Sequence, residues 1–89
     1  MDFDVMLEEY RSLWNNRALT VEGNSQTTLL DAIERELLDE NSHPRIRKGI
    51  YEKLYLATKR ISESTLSNEV KLSLLSLHLQ VVEQLKGKI

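Results

Sequence analysis

The chain has 89 residues, enough for a single domain that buries a little over half of its unfolded surface. Its balance of 40% hydrophobic and 29% charged residues excludes a disordered chain, and the absence of cysteine excludes disulfides and thiolate metal sites. A net charge of -2, no apolar run near the ~20 residues that span a bilayer, and an acidic start (MDFDVMLEEY) unlike a secretory signal lead to the expectation of a soluble cytoplasmic protein.

In chain order, Phe3, Met6, Leu7, Tyr10, Leu13 and Trp14 recur at three- and four-residue steps, which predicts a first helix over about 4–16 with one buried face. RALTVEGNS follows as a linker with a turn at Gly23-Asn24, and Leu19 and Val21 are expected to tuck back against the fold. Ser25 is the predicted cap of a second helix, about 26–40, whose apolar face is Leu29, Leu30, Ile33, Leu37 and Leu38. NSHP closes that helix. Pro44 suits a first helical turn, so a third helix is predicted over about 44–61, with Ile46, Ile50, Leu54, Ala57 and Ile61 on one stripe. Gly49 falls inside it, at a cost of roughly 1 kcal/mol relative to alanine.

Ser67 is a good cap for a fourth helix over about 68–86. Its core, KLSLLSLHLQVVEQL, alternates like a strand, but a strand of ~16 residues is far beyond the usual length and has no pairing partner. As a helix it carries two apolar stripes: Val70, Leu74, Leu77, Val81 and Leu85, then Leu72, Leu75, Leu79 and Val82. Lys71 and His78 lie between them. The second stripe has three outlets: the bundle core, a homodimer, or a partner's helix or a membrane component. Four amphipathic helices with short connections favour an all-α, antiparallel up-and-down four-helix bundle.

Charge is segregated. Residues 1–43 hold Asp2, Asp4, Glu8, Glu9, Glu22, Asp31, Glu34, Glu36, Asp39 and Glu40 against Arg11, Arg17 and Arg35, whereas residues 44–60 hold Arg45, Arg47, Lys48, Lys53, Lys59 and Arg60 against Glu52. This favours pairing of the acidic and basic helices, or a basic face for an anionic partner. Neither His43 nor His78 has a sequence neighbour at nucleophile or metal-ligand spacing, and no phosphate loop or nucleophile elbow is present, so the expectation is a non-enzymatic protein without cofactor or metal. The candidate partner-binding residues are Lys48, Tyr51, Tyr55, Lys59, Lys71 and His78. Tyr51 and Tyr55 stand one turn apart among cations, positioned either to grip an anionic partner or to cover a neighbouring helix. His78 either fills the groove between the two stripes or lies in a contact surface whose charge changes near neutral pH. The acidic chain and the short basic stripe argue against nucleic acid.

The run LLDAIERELLDENSHPRIRKGIYEKLYLATKRIS and the following TLSNEVKLSLLSL resemble the immunity proteins of class II (pediocin-like) bacteriocins, the enterocin A immunity family. The shared features are an acidic amphipathic helix, a proline-opened basic helix and a Leu-Ser-x-Glu entry to the last long helix, and the likeness runs from Val5 to Lys86. The resemblance implies a cytosolic four-helix bundle, peripheral to the inner face of the membrane, that protects the cell by engaging the bacteriocin-bound mannose phosphotransferase permease. It also implies that the C-terminal half, with Lys48, Tyr51, Tyr55, Lys59 and His78, governs which bacteriocin is countered. The rival reading is a helical regulatory or adaptor protein, a monomer or a homodimer through the last helix.

Overall fold

A computed structural model describes residues 2–14, 23–40 and 42–87. These form four helices: α1 (Phe3–Leu13), α2 (Ser25–Leu37), α3 (Ile50–Glu63) and α4 (Asn68–Lys86). No strand occurs among the described residues. The fold is the all-α four-helix bundle expected from the sequence. The expectations for Asn15, Asn16, Leu19 and Val21 lie outside the described residues.

Helices α1, α2 and α4 each start where a backbone N–H finds a side-chain acceptor. The Asp2 carboxylate accepts from the N–H groups of Asp4 (3.0 Å) and Val5 (3.3 Å), and Ser67 Oγ accepts from Val70 (3.2 Å), as read from the sequence for α4. At α2 the cap is Asn24, whose Oδ1 accepts from Thr27 at 2.8 Å. Ser25, predicted as that cap, is instead the first helical residue, and its hydroxyl donates to the Asp4 carboxylate.

The third helix departs most from expectation. It opens at Ile50 rather than at Pro44, and α2 stops at Leu37 rather than at Glu40. Asp39 adopts φ 54°, the left-handed geometry that ends a helix. Its carboxylate then accepts from Ser42 Oγ (2.9 Å) and the Lys48 N–H (2.9 Å). The Arg47 guanidinium donates to the carbonyls of Asp39, Ser42 and Glu40 at 3.1, 3.1 and 3.3 Å, caring for the orphan acceptors after α2. Binding the Lys48 N–H and Arg47 to the end of α2 keeps residues 47–49 out of the helix. Pro44 therefore heads a single turn, Ile46 N–H to the His43 carbonyl, and Ile46 leaves the apolar stripe. Gly49 becomes the N-cap of α3 (φ -66°, ψ 158°), not an interior glycine.

Helix directions follow from paired contacts. Ser25 meets Asp4 and the Tyr10 hydroxyl donates to the Ala32 carbonyl at 3.4 Å, so α1 and α2 lie side by side with their N-terminal ends together. Lys53 of α3 reaches back to Glu36 (2.7 Å) and Asp39 (3.6 Å), and Lys71 of α4 donates to the Ser62 carbonyl (3.1 Å). The α2–α3 and α3–α4 pairs are thus antiparallel hairpins, as short connections require. Eleven residues separate α1 from α2, a reach of up to ~36 Å, so no such constraint acts on the first pair. The α2–α3–α4 run therefore keeps the expected up-and-down order, whereas α1 departs from it: its N-terminal end lies beside that of α2, and its C-terminal Leu13 and Trp14 meet Arg60, Glu63 and Ser64 at the C-terminal end of α3.

The core joins Met6, Leu7 and Tyr10 of α1 with Leu29, Ile33 and Leu37 of α2, Ile61 of α3, and Leu74, Leu77, Val81, Val82 and Leu85 of α4. The first stripe of α4 is the one that faces inward. Its second stripe divides: Val82 is buried and Leu75 partly so, while Leu72 and Leu79 are 67% and 55% exposed.

Candidate functional site, the outer face of α3 and α4

The six residues singled out from the sequence do not form one cluster. Tyr51 and Tyr55 each stand 60% exposed on α3, so they do not cover a neighbouring helix. They share a ridge with Thr58 and Ser62, at steps of four, three and four residues. Lys71 crosses from α4 to the Ser62 carbonyl, which places that ridge along the α3–α4 groove. Leu72, Leu75 and Leu79 border the same groove on α4. The result is a strip of two phenols and the exposed Leu72 and Leu79 on the outside of the hairpin, with the Lys71 ammonium between them and Leu75 partly buried beneath. Side chains of this size expose on the order of 400 Å² together, within the range of patches that mark interaction sites.

Lys59 belongs elsewhere. It lines, with Leu13, Leu56, Arg60, Glu63 and Ser64, an open hollow of about 410 Å³ between α1 and α3. Lys48 lies ahead of α3, its N–H given to Asp39. Acidic and basic elements meet through Lys53, whose ammonium sits between Glu36 and Asp39 and is largely covered. The N–H of Lys48 and the surrounding hydrogen bonds hold the Asp39 carboxyl below the usual carboxylate range.

His78 follows the first of its two sequence readings, filling the groove between the stripes, and is corrected out of the candidate partner-binding set. It is fully enclosed (0% exposed) and takes no part in an outer contact face. Its Nδ1 donates to the Leu74 carbonyl at 2.7 Å, and its ring stacks with Trp14 (centroids 5.9 Å apart) and Tyr10 (6.4 Å). Tyr10 in turn stacks on Trp14 at 4.6 Å, and the Arg60 guanidinium covers the indole at 5.1 Å. Burial pushes the His78 pKa down and the Tyr10 phenol up, keeping both neutral. Sequence spacing gave Tyr10 and Trp14 to the buried face of the first helix, but nothing local paired them with a histidine 64 residues later than Trp14. Arg47, Asp39 and Arg60 were missed for the same reason: their partners are distant carbonyls, a backbone N–H and an indole.

No group of three or more metal-binding side chains occurs among the described residues. None of the helices there is long and apolar enough to cross a membrane.

The YoyC family model matches residues 1–89. The chain belongs to the YoyC family. It is 42% identical over 81 residues to a protein of Bacillus subtilis (strain 168) described as uncharacterized protein YoyC, covering 91% of this chain and 86% of that one. No solved structure matches the chain.

Proposed function

We propose that this YoyC-family protein is a non-enzymatic, cytoplasmic binding module that engages a protein partner through the outer face of α3 and α4. The observation that carries this reading is the exposure of Tyr51, Tyr55, Leu72 and Leu79 on one hairpin whose inner side is already closed by core. Apolar side chains held outward on rigid helices give an anchor set for a partner helix or groove, with aromatic residues as the energetic centre. In vivo crosslinking and affinity capture with the wild type and with a Leu72→Ser/Leu79→Ser variant test it. Loss of one specific partner in the variant is expected, and an identical set of captured proteins refutes the role of the face.

A second, more specific form is immunity to a class II bacteriocin by binding the toxin–receptor complex of the mannose phosphotransferase permease. The resemblance to the enterocin A immunity family supports it, and so does the confinement of the exposed strip to α3 and α4, the half that governs specificity in that family. Expression in a bacteriocin-sensitive strain, followed by challenge with a panel of class II bacteriocins, decides it. Protection against at least one member is expected; susceptibility to all of them, with folded protein accumulating, removes the immunity reading and leaves the adaptor. Light scattering at several concentrations reads whether that adaptor is a monomer or a homodimer through α4.

A further inference from the structure

Residues 42–49 carry Arg45, Arg47 and Lys48 and no acidic residue. Their backbone is tied down along its length. Ser42 N–H and Oγ bind Asp39, Ile46 N–H binds the His43 carbonyl, Arg45 N–H meets His43 Nδ1, and Lys48 N–H binds the Asp39 carboxylate. Arg47 is spent on the carbonyls after α2. Yet Ile46, in the middle of this pinned loop, is 72% exposed, the highest value among the exposed large hydrophobic residues described. Arg45 and Lys48 on either side are exposed as well. A loop fixed in this way holds an aliphatic side chain out between two cations.

We propose that this loop docks the protein on an anionic lipid bilayer, with Ile46 entering the headgroup layer and Arg45 and Lys48 meeting lipid phosphates. A protein interface of standard size needs ~800 Å² from each partner and a shaped receptor, and one projecting isoleucine supplies little of that. A deformable headgroup layer accepts a single aliphatic wedge flanked by cations, and each lysine or arginine near an anionic surface strengthens binding roughly fivefold. Charge placement agrees. The loop lies at the end of the bundle where α2 stops and α3 starts, and the acidic first turns with Asp4 and Glu69 lie at the opposite end. Asp39 is tied to Lys48 and Lys53, and the exposed acids Glu40 and Glu52 flank the loop in sequence, with Glu83 exposed near the C-terminal end of α4.

The test is co-sedimentation of the full chain with phosphatidylcholine vesicles and with vesicles containing phosphatidylglycerol, at two salt concentrations. Binding is expected only to the anionic vesicles and is expected to weaken with salt. Ile46→Ser is expected to lower the partition about tenfold, and Arg45→Gln/Lys48→Gln by about 25-fold. An Ile46→Trp variant gives a direct readout, a blue-shifted emission on anionic vesicles alone. Leu72→Ser/Leu79→Ser is expected to leave vesicle binding unchanged, which separates this site from the protein-binding face. Absence of wild-type binding, equal binding to neutral vesicles, or indifference to Ile46→Ser overturns the proposal. So does stronger retention by soluble polyglutamate than by vesicles, which would make the loop a receptor for acidic polypeptide. Circular dichroism melts of every variant confirm that the bundle is intact.

Discussion

Of the two ring nitrogens of His78, only Nδ1 has a partner among the described residues. Donation to the Leu74 carbonyl fixes the proton there and leaves the Nε2 lone pair inside the stack with Tyr10 and Trp14. Burial is the main cause that lowers its pKa, opposed by the bond to Leu74 and by Glu36 of α2; Arg60 of α3 lies over the neighbouring indole. For a histidine whose folded pKa is depressed, the unfolded chain takes up the proton first as pH falls below about 6.5. Stability is therefore highest above that pH and declines toward the folded pKa, by at most about 1.4 kcal/mol per pH unit from this group. Urea denaturation at pH 8 and pH 5.5 is expected to show the loss in the wild type. Replacing His78 with leucine is expected to reduce it, because no buried lone pair remains to be charged. An equal loss in the variant would move the cause to the carboxylates. Asp39 acts in its own window: its depressed pKa gives stability that is present above the ordinary carboxylate range and lost in strong acid.

At the scale of elements, the join between α2 and α3 is where stability is open to change. Lys53 is mostly covered and holds both Glu36 and Asp39, so Lys53→Met leaves two carboxylates facing each other without their cation. A loss of about 1–2 kcal/mol is expected, below that of a fully buried pair because Glu36 keeps some contact with water. Thermal melts at pH 7 measure it, and an unchanged midpoint would mean that the contact is merely incidental. Gly49 offers the opposite change. It caps α3 in an extended conformation with no side-chain acceptor and nothing near a would-be Cβ. Gly49→Ser is expected to stabilise by about 0.5 kcal/mol, through the cap and a less flexible unfolded chain. Helix existence was legible throughout, since the period of Phe3 to Trp14 and the capping of α4 by Ser67 are local facts. The start of α3 was not, because Pro44 satisfied the local rule while Arg47 and Lys48 answered to the end of another helix. Two cations following a helix end in the sequence were the available clue. The candidate site was half legible: the spacing of Tyr51, Tyr55, Leu72 and Leu79 named the strip, and the enclosure of His78 depended on α1.

For the whole molecule, the same segregation of charge acquires a structural reason. The N-terminal ends of α1, α2 and α4 share one end of the bundle, and the C-terminal ends of α2 and α4 lie at the other, so the dipoles of α2 and α4 add and that of α3 opposes them. Acids gather at the positive end in Asp2, Asp4 and Glu69, and the basic loop with Arg47 covers the negative end. Much of the acid–base split therefore neutralises the bundle's own field. The core and the outer strip should then respond differently to truncation. Leu77→Ala is expected to cost about 2–4 kcal/mol. Leu72→Ser is expected to change stability by less than about 0.5 kcal/mol, since its side chain is already in water. Parallel urea titrations of the two variants check the contrast, and a large loss for Leu72→Ser would assign it to the core.

The ring stack that joins α1 to α4 also sets how the bundle resists mechanical load. Asp2 lies at one end of the bundle and Lys86 at the other. A pull applied through those two points runs along α4 and loads the Tyr10–Trp14–His78 stack that holds α1 to it.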